Sequence, residues 1–372
     1  MQMDMPRKKL RTYGQLLLFL LIAGSEMTWA AQDEGYRSIV FVPKRKILVG
    51  VSEDYRTWAS NMQLWSVENR KLEYTIDFSP RERARVIAVR PDGELMAVVF
   101  WILPEKGEKY GHTSIRCYSL SERKWAWKND WQSKFDMARE VRFSPDGLRV
   151  IVIGYKNILF YDAKTGRKLD IIDEPLKDYP ELPLSIRGSF VSPSGRYIVV
   201  WQEKPLPGHA LLARLMANKW VTVWDLQTKK RVARWKKPKY ENFCATFTQD
   251  EQNILFGSRG HIDIWSVKEQ KMIREWRLAD FLAVDSLKFS EDYHYLAVYG
   301  TIWNFDIMIW DFTEGKEVHH FRDVGCADGP YPMTFFDGSR SFAFARKDQL
   351  CVYDTQTWKE KWCSLDEKGV SP

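Results

Sequence analysis

FSPDGLRVIVI (residues 143–153) and FYDAKTGRKLDII (residues 160–172) decide the architecture, because each is one copy of a motif repeated along the chain. In the first, Pro145-Asp146-Gly147 is turn chemistry: proline presets φ and glycine accepts the left-handed region. The Val/Ile run after it is a strand of four or five residues. In the second, a strand ends at Tyr161, a polar turn follows, and another strand begins.

Six further copies of the second motif occur: LWSVENRKLEYTI, CYSLSERKWAW, VWDLQTKKRVARW, IWSVKEQKMIREW, IWDFTEGKEVHHF and VYDTQTWKEKWC. Their anchoring aromatics, with Tyr161 included, are Trp65, Tyr118, Tyr161, Trp224, Trp265, Trp310 and Tyr353, separated by 53, 43, 63, 41, 45 and 43 residues. Upstream of each anchor lies a copy of the first motif: FVPKRKILVGV, VRPDGELMAVV, FSPDGLRVIVI, VSPSGRYIVVW, FTQDEQNILFG, FSEDYHYLAVY and FFDGSRSFAFA. Each unit therefore supplies four short strands: a before the first turn, b after it, c ending at the aromatic, and d beyond the second turn. Seven four-stranded units at a mean period of 48 residues predict an all-β, seven-bladed propeller of antiparallel blades, which leaves no long exposed sheet edge.

The pattern resembles the WD-repeat β-propeller family and its exported bacterial relatives over roughly residues 36–365. The resemblance rests on Trp224-Asp225 and Trp310-Asp311, the Tyr-Asp forms at Tyr161-Asp162 and Tyr353-Asp354, and the Ser-Pro-Asp-Gly turn at 144–147. No unit opens with the family's Gly-His pair, and the Asp expected in the tight b–c turn is missing, with His112, Arg259 and Tyr155 near its place. The resemblance implies a degenerate propeller and says nothing of its partner.

Composition agrees with a globular chain: of 372 residues, 45% are hydrophobic and 28% charged, which excludes disorder and a polytopic membrane protein. Residues 1–30 read as a signal peptide, with a basic stretch (PRKKLR), an apolar core (LLLFLLIAG) and a polar tail ending at Ala30. The apolar core is too short to cross a bilayer, so cleavage near Ala30 and a periplasmic or secreted mature chain, with no stable transmembrane anchor, are expected. Setting that leader aside lowers the net charge from +7 by two, because Arg7, Lys8, Lys9 and Arg11 outweigh Asp4 and Glu26. Residues 366–372 form a C-terminal tail.

Five cysteines follow the leader: Cys117, Cys244, Cys326, Cys351 and Cys363. Cys351 and Cys363 flank a hairpin, where the strand register decides between a cross-strand bridge and two small apolar residues. No Cys/His spacing suggests a metal, no GxSxG, HExxH, Walker or GxGxxG motif is present, and no cofactor is implied. The seventeen tryptophans fall largely at repeated strand ends or in d strands, including Trp125, Trp127, Trp235, Trp276 and Trp362, where packing between blades accounts for them. KKRVARWKKPK (229–239) is strongly basic, but it belongs to an outermost d strand, where lysine blocks edge pairing; nucleic acid is not the expected partner.

Function is expected where the connections lengthen. The long ones are SEDYRTWASN (52–61), WILPEKGEKYGHT (101–113), DEPLKDYPELPLS (173–185) and QEKPLPGHALLARLMANK (202–219), all b–c or d–a connections and so all on one face. They carry Tyr55, Trp58, Trp101, Tyr110 and Tyr179, with Trp303 and Phe305 in the blade 6 b–c turn. Aromatics grouped on one face suit recognition of a protein, or alternatively of a glycan. Residues 210–219 read as a short helix with Leu211, Leu212, Leu215 and Met216 on one face, either a lid or a docking helix. The expectation is a non-catalytic scaffold; the alternative is a carbohydrate-active or hydrolytic propeller with its site at the channel mouth.

Overall fold

The computed structural model describes residues 34–364, except 55, 56, 58, 109, 132–137, 139, 155, 156, 173–184, 204–218, 237–243, 259, 279–282, 302–304, 325–332, 347 and 348. It is a propeller of seven four-stranded blades, each a simple antiparallel meander. In numbers, blade 1 spans 34–77, blade 2 82–131, blade 3 140–172, blade 4 185–236, blade 5 244–277, blade 6 283–321 and blade 7 333–363. The a strands of blades 4, 5, 6, 7, 1, 2 and 3 contact one another in that order, the seam between blades 7 and 1 included, and apolar packing joins blade 3 to blade 4, so the a strands surround the central channel. The leader and residues 366–372 lie outside the described residues. No helix among the described residues is long and apolar enough to cross a membrane.

The a–b turn is the same device in blade after blade. In blade 3, Ser144 Oγ donates to Asp146, and Asp146 Oδ1 accepts the Leu148 N–H at 2.9 Å. Thr248 and Asp250 repeat this in blade 5, as do Ser290 and Asp292 in blade 6. The turn requires a left-handed residue, which Gly147 supplies at φ 69° without strain. Glu251 and Tyr293 hold the same place at φ 57° and 61°, which the turn's hydrogen bonds stabilise against the usual penalty for a side chain there. The residue after each anchor closes the c–d turn, Asp in blades 3, 4, 6 and 7 and Ser in blades 1, 2 and 5, where Ser66, Ser119 and Ser266 accept the N–H groups of Asn69, Glu122 and Glu269. Asp225 accepts the Gln227 and Thr228 N–H groups, and Asp311 those of Thr313 and Glu314.

Aromatic pairs lock blade to blade. The d-strand aromatic of one blade lies against the anchor of the next: Trp127 on Tyr161, Trp235 on Trp265, Trp276 on Trp310 and Phe321 on Tyr353. Trp235–Trp265 and Trp276–Trp310 stack nearly parallel, at 9° and 12°. Each apolar cluster of the core spans two neighbouring blades; Ile153, Phe160, Val200 and Trp224, for example, join blades 3 and 4. Among the described residues the ring closes without strand exchange, through Tyr36, Leu48 and Trp65 of blade 1 packed with Phe336, Val352 and Trp362 of blade 7.

Blade 7 holds its own d strand (Glu360–Cys363). Cys351 and Cys363 are register partners on the c and d strands, and their sulfurs form a disulfide. The basic stretch at 229–239 includes the outermost strand of blade 4 (Lys230–Lys236), whose first three residues are exposed.

Candidate functional site

Strand ends show which face varies. On the a–b/c–d face every connection is four or five residues long. On the b–c/d–a face the gaps include 103–111, 132–139, 173–184, 204–218, 237–243 and 322–332. The variation belongs to one face because the meander sends alternate turns to opposite ends of the blade.

The proposed contact residues divide unevenly. Tyr110 is exposed on that face, 43% accessible. Trp101 is not a loop residue: it stands within the b strand of blade 2 (Leu95–Ile102), paired with Arg83 and Thr113, and is half-buried. Its indole lies over Gly111, where a Cβ would stand 2.8 Å away, so glycine permits the close approach. Phe305 likewise opens a strand (Phe305–Asp311), with its ring 5.5 Å from that of Tyr299. Extended pairing carries both residues out of the loops to which the sequence alone assigns them. Tyr55, Trp58, Tyr179, Leu211, Leu215 and Trp303 lie outside the described residues.

The loop bases are tied down by polar contacts. In blade 1, Asp54 accepts from the Thr57 hydroxyl at 2.6 Å and from its N–H, starting the b–c turn. In blade 2, Arg81 donates to the Leu103 carbonyl from Nε at 3.2 Å and from Nη2 at 2.7 Å, and pairs with Glu105. A d–a turn thus grips the adjoining b–c loop.

Beneath this face, charge is buried where blades 1 and 2 meet, a feature that sequence reasoning missed. Register shifts interrupt the a strands of blades 1, 2, 4 and 6, at Arg37, Arg85, Arg187 and Asp285. At Arg37 the bulge changes the aim of the side chain, which meets Glu53. Glu53, fully buried, accepts from Arg37 and from Arg83, the latter at 2.9 Å. Between blades 3 and 4, buried Glu140 accepts from Arg142 Nε at 2.8 Å and Ser189 Oγ at 2.9 Å. The available signal was a charged residue at one strand position in successive units, as at Arg37 and Arg85.

The remaining reactive groups are held quiet. Burial pushes the Cys117 thiol up to about 12 and the Cys244 thiol well above its usual value, so both stay protonated at neutral pH. Burial likewise raises the carboxyls of Asp263 and Asp285. His319 and His320 point to opposite faces of the blade 6 d strand: His319 stacks on Trp358, and His320 Nε2 lies 2.9 Å from Asp306. Cys351, Glu360 and Cys363 come within metal-ligating distance of one another, but the disulfide removes both thiolates from that role.

No protein-family model matches the chain, and no curated protein is similar enough to it to count as a match.

Proposed function

We propose that the chain is an exported, non-catalytic scaffold that binds another envelope or extracellular protein through its b–c/d–a face. One observation carries this reading: every connection longer than five residues emerges on that face, while the opposite face keeps uniformly tight turns. Rigid blades with length variation at one end are how a fold presents a binding surface. Exposed Tyr110 supports it, and so does the aromatic content of the loops. The export half rests on the leader at 1–30, and kinship with WD-repeat propellers rests on the Trp-Asp and Tyr-Asp pairs.

A hydrolytic site at the mouth of the channel is disfavoured by the state of Glu53. That carboxylate is fully buried between two arginines, where it does not reach substrate. The test is crosslinking of chain 31–372 to envelope extract from its source, with a second chain lacking residues 204–217. A single protein captured by the first, crosslinked to the loop face and lost with the deletion, supports the scaffold reading. Capture that is indifferent to the deletion, with crosslinks on the tight-turn face, contradicts it.

A further inference from the structure

We propose that Cys351, Cys363 and Glu360 of blade 7 form a redox-gated site for a divalent metal of the zinc class, closed while the two sulfurs are bonded and opened when a dithiol reductant parts them. A carboxylate oxygen of Glu360 and both sulfurs lie within 4.8 Å of one another. Among the described residues no other set of three His, Cys, Asp or Glu side chains brings its ligand atoms so close together.

An irregularity of the strand assembles the set. Residues three apart in a regular strand point to opposite faces, which would separate Glu360 from Cys363. Here Cys363 pairs with Cys351 and Trp362 with Val352, but Tyr353 pairs with Glu360 rather than Lys361. Lys361 is the extra residue of a bulge, so Glu360 comes to the face of Cys363. Cys351 shares that face, standing two residues before Tyr353 on the c strand (Gln349–Asp354). Blade 6 repeats the geometry with other residues. Glu317 and His320 hold the equivalent places there, and their side chains approach to 3.6 Å across the same bulge. The spacing of the three residues in the sequence gives no sign of this alignment.

Two thiolates and a carboxylate are a donor set for zinc, which takes sulfur and oxygen ligands tetrahedrally and leaves its fourth position to water. Cys351 is buried, Cys363 half-buried and Glu360 exposed, so a metal enters past the carboxylate. The Tyr353 hydroxyl donates to Glu360 Oε2 at 3.4 Å and orients that carboxylate, as outer-shell donors orient metal ligands. Opening is a thiol–disulfide exchange. A thiolate of the reductant attacks the Cys363 sulfur, the more exposed of the two, and Cys351 departs as a thiolate. The reductant's second thiol then attacks its partner sulfur in the mixed disulfide and releases Cys363. Two electrons and the reductant's two thiol protons pass to the protein sulfurs, and the reductant leaves as its own disulfide. Zinc displaces those protons when it binds. The metal then ties the c strand to the d strand where the disulfide did, so the strand that bears Trp362 is held in both states.

The site belongs to the two outer strands of blade 7 and does not depend on the scaffold reading. The experiment is calorimetric titration of the folded chain with zinc chloride, before and after reduction by a phosphine, which adds no competing thiol. The reduced chain is expected to take up one zinc that the oxidised chain does not. Glu360→Gln, a change at an exposed side chain that leaves the fold intact, should weaken that uptake by about tenfold or more, a loss usual even for outer-shell partners. Cys351→Ser with Cys363→Ser, its fold checked by circular dichroism, should lack the site. Cobalt in place of zinc should give thiolate-to-metal charge-transfer absorption in the reduced wild type and none in the double variant. Failure of the reduced chain to bind zinc, or equal uptake by the oxidised chain, overturns the proposal. So does an unchanged affinity in Glu360→Gln, or uptake that survives in the double variant.

Discussion

Trp362, in the outermost strand of blade 7, lies with its ring centroid 6.5 Å from that of Trp65, the anchor of blade 1. The pair repeats between the last and first blades the contact that Trp235–Trp265 and Trp276–Trp310 make inside the ring. Among the described residues no strand is exchanged at this seam, and apolar side-chain packing joins the two blades there. Trp362→Ala should therefore cost about 3–5 kcal/mol, the usual range for deleting a buried tryptophan. Hydrogen exchange should rise first in blades 1 and 7. Equal loosening of all seven blades would show that the seam is no weaker than the other interfaces.

The disulfide staples the strand that carries Trp362. It joins residues separated by 12 positions in sequence, a loop for which chain-entropy reasoning gives about 3 kcal/mol. Cys351→Ser with Cys363→Ser should lower denaturation stability by about that amount, and reduction of the wild type should match the double variant. Unchanged stability on reduction would mean that the seam does not depend on the staple.

Glu53 with Arg37 and Arg83 forms a charge group whose members need one another. Glu53→Gln leaves two buried guanidinium groups short of counter-charge and should cost about 3–5 kcal/mol. Replacing all three together by Leu, Met and Met should recover most of that loss. Urea denaturation of both variants checks this.

Acid should weaken the c–d turns. Hydrogen bonds from the Thr165 hydroxyl and backbone N–H hold the Asp162 carboxyl below its ordinary value. A carboxylate with a lowered folded-state value contributes stability above its unfolded value, near pH 4, and loses it as pH falls through the folded value. The melting-temperature gap between the wild type and Asp162→Ala should thus be constant from pH 7 to 5 and shrink towards pH 3. A gap that persists at pH 3 would show that the ionised carboxylate contributes nothing.

Much of this molecule is legible in the sequence, because the turn devices and anchors are local. Ser144, Pro145, Asp146 and Gly147 make one turn within a few residues, and Tyr161-Asp162 marks the end of a strand wherever it recurs. The disulfide was left open by the spacing, since a one-residue slip would have separated Cys351 from Cys363; the ladder makes them partners. Trp101 escaped because strand pairing runs one turn further than its composition suggests. The buried charges escaped for a different reason. Arg37 and Glu53, 16 residues apart, meet across one hairpin of blade 1, but Arg83, 30 beyond Glu53, joins them only because blade 2 packs on blade 1. One arginine in one short strand carries no sign of a bulge; only its recurrence at the same position, as at Arg37 and Arg85, does.

The most direct test of the account is residue-level crosslinking of chain 31–372 to its partner in envelope extract. The account predicts crosslinks from one protein confined to 52–61, 101–113, 173–185 and 202–219, and their loss when 204–217 is deleted. Crosslinks gathered instead on the a–b and c–d turns, unaffected by that deletion, would contradict it.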